Sequence, residues 1–328
     1  MLSMLDEKNA LFGRYDKVLE LKELTYLEAS EFYAGKNTYE KIAFFSVFGG
    51  SPFINREIDQ SLDLKANIER TFLNPESRVS MYCRHLLFSD FSSSININGI
   101  CSVLKNGKKS CVEIENAIGC QKNGLMNKKL DLLNRMSLIT KTQPINKIGN
   151  AKSVKYEICD NAIRFFYTFV YDSKSILDRI GASRFYEAYV ARQLNAFVSH
   201  RFEDICRTYF SLLAKTSRLG DVIDIGTYYY DDAKNRTNGE FDVALKLENG
   251  KYVIVEAKYY KPDHVLTLSQ MRQEANQASR IKELEVESVW FACASDFEMQ
   301  DEFKCIRAEE MYDPQIIVEA AMMPMRSA

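Results

Sequence analysis

No stretch of this 328-residue chain approaches the length of an apolar membrane span, so no membrane partner is expected. The start, Met1-Leu-Ser-Met-Leu-Asp6, has neither the basic opening nor the apolar centre of a signal peptide. The eight cysteines (Cys83, Cys101, Cys111, Cys120, Cys159, Cys206, Cys293 and Cys305) form no C-x-x-C, and the three histidines (His85, His200 and His264) have no partner at ligand spacing. A zinc site is therefore not expected, and the cysteines read as reduced core residues in a cytoplasm. There is also no G-x-x-x-x-G-K-[ST] phosphate loop. Gly107-Lys-Lys-Ser110 lacks the first glycine. Gly49-Gly50-Ser-Pro52 carries a proline and no lysine, which makes it a turn. No ATP site is expected, and hence no ATPase activity from this chain. What remains is an ordinary soluble composition, 46% apolar and 27% charged with a net charge of −2, long enough for two or three domains.

The most informative stretch is Glu240-Phe-Asp242, followed by Glu256-Ala-Lys258. Val243, Leu245 and Leu247 alternate with Asp242, Ala244 and Lys246, and Val253 and Val255 alternate with Ile254 and Glu256, so both segments read as strands of one hairpin. A two-residue Asn249-Gly250 turn would put Asp242 and Glu256 on opposite faces. A three-residue loop, Glu248-Asn249-Gly250 with Gly250 left-handed, sets Asp242 across from Glu256 and Glu240 across from Lys258. Val243, Leu245, Val253 and Val255 then share the other, apolar face, and the alternation carries Phe241 with Val243 and Leu245. Only this register keeps that face clean.

Carboxylates held close together repel unless a cation lies between them, and hard oxygen ligands favour Mg²⁺ or Mn²⁺. Lys258, two residues beyond Glu256, would orient a water or offset charge growing on a phosphate. The alternative is a surface hairpin with solvated charges. The pattern resembles the PD-(D/E)XK nuclease core, in which an Asp on one strand and Glu-x-Lys on the next bind metal and activate water. That resemblance implies catalytic roles for Asp242, Glu256, Lys258 and Glu240, with Asp242 and Glu256 as metal ligands. It also makes Phe202–Arg207 the preceding helix, where Glu203 would assist the metal, and puts Gln270 where some members keep a polar residue.

A second region is set apart by charge. Residues 105–155 hold eleven Lys or Arg against three acids, a balance of +8 that leaves −10 for the rest. Ile100–Leu104 closes a first helix, and Ser110-Cys-Val-Glu113 is a capping box opening a second through Ile118. Leu125–Met136 is an amphipathic third, with Leu125, Leu130, Leu132 and Leu133 apolar. Leu138–Thr142 and Lys155–Ile158 alternate as strands around a Lys- and Gly-containing loop. Three helices and a two-stranded wing outline a winged helix-turn-helix. Lys122, Lys128, Lys129 and Arg135 would lie on or beside its third helix, and Lys141, Lys147 and Lys152 on its wing. Such a surface suits DNA backbone contact; a protein-interaction role is the alternative.

The whole chain resembles a named family. Asn9-Ala-Leu-Phe-Gly-Arg14, Leu21-Lys-Glu-Leu-Thr-Tyr-Leu-Glu-Ala29, Phe48-Gly-Gly-Ser-Pro52 and Asp160-Asn-Ala-Ile-Arg-Phe-Phe-Tyr-Thr-Phe-Val-Tyr171 resemble the archaeal-type ATPases, an AAA+-like group of archaea and bacteria. Their C-terminal domain of uncharacterised function itself resembles the nuclease core. The likeness covers most of residues 5–300. Members begin with a P-loop and a Walker B strand, which this chain lacks, so it reads as a truncated frame or one part of a split ATPase.

The expected fold is an α/β multidomain one: a helical AAA+ lid-like segment (1–90), a winged helix-turn-helix (91–160), a helical connector (161–200), an α/β restriction-endonuclease-like core (201–315) and a tail (316–328). Residues 311–328 are expected as a strand and a frayed end, and the aromatic run 165–171 as buried core rather than a stacking strip. Three functions stay open: a metal-dependent nuclease that binds DNA, a regulatory DNA-binding subunit relying on a P-loop ATPase partner in trans, and a gene remnant. Exposed lid surface in residues 1–90 would favour the last two through self-association.

Overall fold

The computed structural model describes residues 21–85, 97–120, 124–216, 218–232 and 237–322. Asn9–Arg14 and Lys122 therefore lie outside the described residues. The protein is a mixed α/β structure in which helices pack around a mixed sheet.

Short helices come first: α1 (Tyr26–Ala29), α2 (Thr38–Phe48), α3 (Pro52–Asn55), α4 (Leu64–Thr71) and α5 (Arg78–His85). Thr25 and Asn37 open α1 and α2 with capping boxes to Glu28 and Glu40, which satisfy amides the first turn leaves orphaned. The Gly49-Gly50 turn follows α2. Its glycines are required, because Gly49 has φ +67° and a Cβ on Gly50 would lie 2.1 Å from the carbonyl oxygen of Leu24.

The next group is α6 (Ile97–Leu104), α7 (Cys111–Ile118) and α8 (Leu125–Arg135), then the antiparallel pair β1 (Ile139–Thr142) and β2 (Lys155–Ile158). Ser110 caps α7 with Glu113, and Gly119 ends it in the left-handed conformation. The buried stripe of α8 is Met126, Leu130 and Leu133, while Leu125 is half exposed; the stripe lies one position further on than the leucines alone suggest.

A helical run follows: α9 (Asn161–Phe165), a π-turn over Phe166–Val170, α10 (Lys174–Ile180), α11 (Ala182–Phe185), a second π-turn over Tyr186–Val190, and the long α12 (Ala191–Lys215). Phe165, Phe166, Tyr167, Phe169 and Val170 are all buried, so the aromatic run is core.

The sheet is built from β3 (Val222–Asp232), β4 (Thr237–Leu247), β5 (Tyr252–Lys258), β7 (Val286–Cys293) and β9 (Lys304–Arg307), in that spatial order. Its first three strands are antiparallel neighbours, and β5, β7 and β9 run parallel. A small parallel pair, β6 (Val265–Leu266) with β8 (Asp296–Phe297), flanks α13 (Leu268–Ser279). The chain then forms α14 (Ala308–Met311) and α15 (Gln315–Met322). The strand expected beyond Met311 is thus helical. Ile316 is buried and Glu319 reaches Arg218, a spacing of about one helical turn that a short apolar run does not distinguish from a strand.

One face of the sheet, with Val243, Leu245, Val253 and Val255, packs on Phe202, Ile205, Cys206 and Phe210 of α12. The described residues ahead of α6 join the same core: Tyr26 donates to the carbonyl oxygen of Met311 at 2.6 Å, and Tyr39 stacks on Tyr259 with ring centroids 4.5 Å apart. On the opposite face Phe241, Ala244 and Ile254 pack with Ala278 of α13 and with Ile281. No helix among the described residues is long and apolar enough to cross a membrane.

Candidate active site

The β4–β5 turn takes the three-residue form. Leu247 and Lys251 close it through a 2.9 Å bond, and Gly250 has φ +86°. The printed pairs Ala244↔Ile254, Leu245↔Val253 and Lys246↔Tyr252 lie in the register that would carry Asp242 to Glu256. The ladder does not reach that far. On the other side of β4, Gly226 pairs with Ala244 and Tyr228 with Phe241, so Thr227 faces both Asp242 and Val243. This is a β-bulge, which kinks a strand and re-aims side chains.

The bulge corrects the expected face. Phe241 joins Ala244 in the second core instead of sharing a face with Val243 and Leu245. Glu240 and Asp242 line a cleft of about 580 Å³ against α12, with Glu203, Arg201 and Arg207, while Glu256 and Lys258 are not among its lining residues. Arg207 donates to the carbonyl oxygen of Asp242, taking an acceptor that a continued ladder would otherwise engage.

Glu256 and Lys258 form a second cluster with α13. Lys258 Nζ lies 3.2 Å from Glu256 Oε2 and 2.9 Å from Glu274 Oε1. Gln270 plays a different part from the one the resemblance implies: it completes the capping box of α13 with Thr267, and Glu274, one turn on, is the side chain that reaches the site. Nothing at the level of motif singles out Glu274; the i,i+4 step from the capping Gln270 is the signal that would have found it.

Glu203 links the two clusters electrostatically. Burial pushes Asp242 up to about 6, and the Glu203 and Glu240 carboxylates add to this against the pull of Lys108 and Arg207. Burial also raises Glu256; Lys258 opposes this, and Glu274 and Glu203 reinforce it. Burial would lower Lys258, but Glu256 and Glu274 outweigh it and hold the amine above its usual range. Glu203 Oε1 also lies 3.5 Å from His200 Nδ1, and this neighbour raises the imidazole pKa. Two carboxylates raised first by burial and then by neighbouring acids are oxygen donors of the kind a hard divalent cation fits. Among the described residues, however, no three His, Cys, Asp or Glu side chains stand close enough to hold a metal ion.

The start of the basic segment, Lys105 to Lys108, also lines the cleft. Lys109 pairs through its backbone with Tyr156 of β2, at 3.0 and 2.7 Å, and this fixes the neighbouring Lys108, whose Nζ lies 2.6 Å from Glu240 Oε1. Lys128, Arg135, Lys141 and Lys152 are exposed, and Lys129 and Lys147 are half-buried. The loop between β1 and β2 docks on the edge of β3: Ile145 N donates to Thr227 O at 2.8 Å, and Asn146 exchanges two hydrogen bonds with the backbone of Tyr229. That covers an open sheet edge and ties the basic segment to the strand beside Asp242.

Residues 166–278, which span π-turn, α12 and the β4–β5 hairpin, match DUF234, a family of archaea bacterial proteins of unknown function. The chain is 21% identical over 258 residues to an uncharacterized protein of Methanocaldococcus jannaschii, MJECL04, covering 78% of this chain and 56% of that one. The chain thus spans little more than half the length of that relative. Among solved structures, protein VC1899 from Vibrio cholerae is similar at 9% identity, over 96% of this chain and 67% of that one. Its TM-score of 0.29 is too low to carry a structural argument.

Proposed function

We propose that the chain is a DNA-binding, Mg²⁺- or Mn²⁺-dependent phosphodiester hydrolase of the PD-(D/E)XK type, corresponding to the C-terminal part of an archaeal-type ATPase. The observation that supports this most is the position of Glu203 on α12, close enough to raise both Asp242 on β4 and Glu256 on β5. Two acidic side chains on neighbouring strands both feel a third on the helix packed against them, and Lys258 pairs with Glu256 and Glu274, which a solvated surface hairpin has no reason to do. A divalent cation bound there would polarise the phosphoryl oxygen and make a bound water more acidic. Asp242 and Glu256 would hold it with help from Glu203, and Glu240 would support that set once released from Lys108. Lys258, kept cationic by Glu256 and Glu274, would orient the attacking water or meet charge on the phosphate.

In this reading α6–α8 with β1 and β2 form a winged helix whose exposed lysines and arginine contact the DNA backbone. Docking of the β1–β2 loop on β3 would set that module's position relative to the cleft. Incubation with linear, circular and single-stranded DNA in Mg²⁺ or Mn²⁺, beside Asp242→Ala and Lys258→Ala proteins, tests the reading. Cleavage lost in both variants and in EDTA supports it.

A second reading is favoured by one observation. Lys258 is sandwiched between two carboxylates and Glu240 is neutralised by Lys108, the arrangement of a resting or non-catalytic core. The chain would then be a DNA-binding or regulatory module that works with a P-loop ATPase supplied in trans. Salt-sensitive DNA binding without cleavage is its expected result.

A further inference from the structure

The bulge that turns Asp242 toward α12 is braced from the outer edge of β3. Side chains alternate along a regular strand, so Phe241 and Ala244 would point to opposite faces. Here both belong to the second core, together with Tyr228 and Ile145. The extra residue lies between them, so Asp242 leaves the face of Ala244 and joins Glu203 and Glu240 in the cleft. Ile145 is no part of the sheet. It comes from the β1–β2 loop, is 6% exposed, and packs into a core whose Phe241 and Ala244 share a face only in the bulged strand.

The same loop clamps β3 at the two residues that lie across from the acids of β4. Ile145 N donates to Thr227 O at 2.8 Å, and Thr227 faces Asp242 and Val243 across the bulge. Asn146 Nδ2 donates to Tyr229 O at 2.7 Å while its Oδ1 accepts from Tyr229 N at 3.1 Å, and Tyr229 pairs with Glu240. Gly226 makes room for this dock. A Cβ there would lie 2.6 Å from Ile145 Cγ2, and its φ is not in the left-handed region, so the glycine supplies space rather than a special backbone conformation. An undocked loop would give up three hydrogen bonds and a buried side chain, so docking and bulge stabilise each other.

We propose that Ile145 and Asn146 are positioning residues for Asp242: the docked β1–β2 loop holds the bulge that turns this carboxylate toward Glu203. They act through Thr227 and Tyr229 and touch no reacting group. The use of Asp242 as a metal ligand rests on the hydrolase reading, whereas the hold of the loop on the bulge is tested without metal.

Hydrogen exchange in EDTA and Mn²⁺ titration calorimetry are compared for the full unmodified chain, Gly226→Ala, Asn146→Ala and the double variant Gly226→Ala/Ile145→Ala. The double variant removes the colliding Cγ2 and keeps the main-chain bond to Thr227. Asn146→Ala loosens the dock without crowding it, which keeps the test open if Gly226→Ala does not fold. Ile281→Ala truncates the same core and leaves the hydrogen bonds of the loop in place, so it controls for lost stability alone. Gly226→Ala and Asn146→Ala are expected to speed exchange over residues 237–247 by about tenfold and to weaken Mn²⁺ binding by about five- to tenfold. The double variant should recover most of both losses, and Ile281→Ala should hold Mn²⁺ affinity within about twofold. Faster exchange confined to residues 139–158, a double variant no better than Gly226→Ala, or Mn²⁺ affinity lost as much in Ile281→Ala as in Asn146→Ala overturns the proposal. If the unmodified chain takes up no Mn²⁺, the hydrolase reading fails and the exchange pattern alone decides whether the loop holds the bulge.

Discussion

The guanidinium of Arg207 on α12 donates to the main-chain carbonyl of Asp242 on β4 while also pairing with Asp204. One side chain thus fastens the helix that carries Glu203 to the bulged strand that carries Asp242. Arg207 is held above its usual range chiefly by Asp204, against the effect of its burial. Arg207→Ala leaves the half-buried Asp204 carboxylate beside one arginine instead of two, and is expected to cost about 1–2 kcal/mol in urea unfolding. Arg207→Lys keeps the charge but cannot fork between two acceptors, and should recover only part of that loss.

Asp242 gives the protein a pH signature. Its folded pKa is raised from 3.8 to about 6, so the folded state binds this proton more tightly than the unfolded chain. Stability from this group is full below the unfolded value and is lost as pH rises through 6. Asp242→Asn should therefore stabilise the metal-free protein at pH 8, by at most about 3 kcal/mol, with the gap closing near pH 4. Thermal melting across that range, in EDTA, checks the sign.

Lys108 stands in for a cation at Glu240. Replacing it with alanine frees that carboxylate and removes one of the charges pulling Asp242 down. Lys108→Ala is expected to tighten Mn²⁺ binding by roughly three- to tenfold in titration calorimetry. Unchanged or weaker binding would mean that Glu240 takes no part in holding the metal.

DNA affinity should depend on salt through the exposed basic side chains. Lys128→Ala, Arg135→Ala, Lys141→Ala and Lys152→Ala are each expected to weaken binding evenly across sequences and to reduce the slope of log K against log salt by about 1. A slope unaffected by all four moves the DNA contact away from this segment.

Much of this was legible in the sequence because it is local. The capping box at Ser110, the loop 248–250 with its left-handed glycine, and the burial of Phe165, Phe166, Tyr167 and Phe169 follow from spacing and side-chain size alone. The bulge was not legible. Phe241-Asp242-Val243 alternates as a regular strand would, and only the pairing of Thr227 with two residues of β4 shows the extra one. That pairing requires β3, whose Tyr228-Tyr229-Tyr230 run does not alternate, so the sequence shows the β4–β5 hairpin but not the strand on its other side. Ion pairs across 132 residues, such as Lys108 with Glu240, have no local signal at all. The basic block was legible as charge, yet where Lys108 is held depends on the Lys109–Tyr156 bridge.

The most direct measurement is the initial rate of cleavage of linear DNA in Mn²⁺ by the unmodified chain and by Lys258→Met, which keeps the side-chain length and loses the amine. Metal-dependent cleavage by the first and a drop of at least about a hundredfold in the second are expected, with the fold and DNA binding retained. Equal rates in the two proteins, or no cleavage by the unmodified chain under conditions where it binds both DNA and Mn²⁺, would contradict the hydrolase reading.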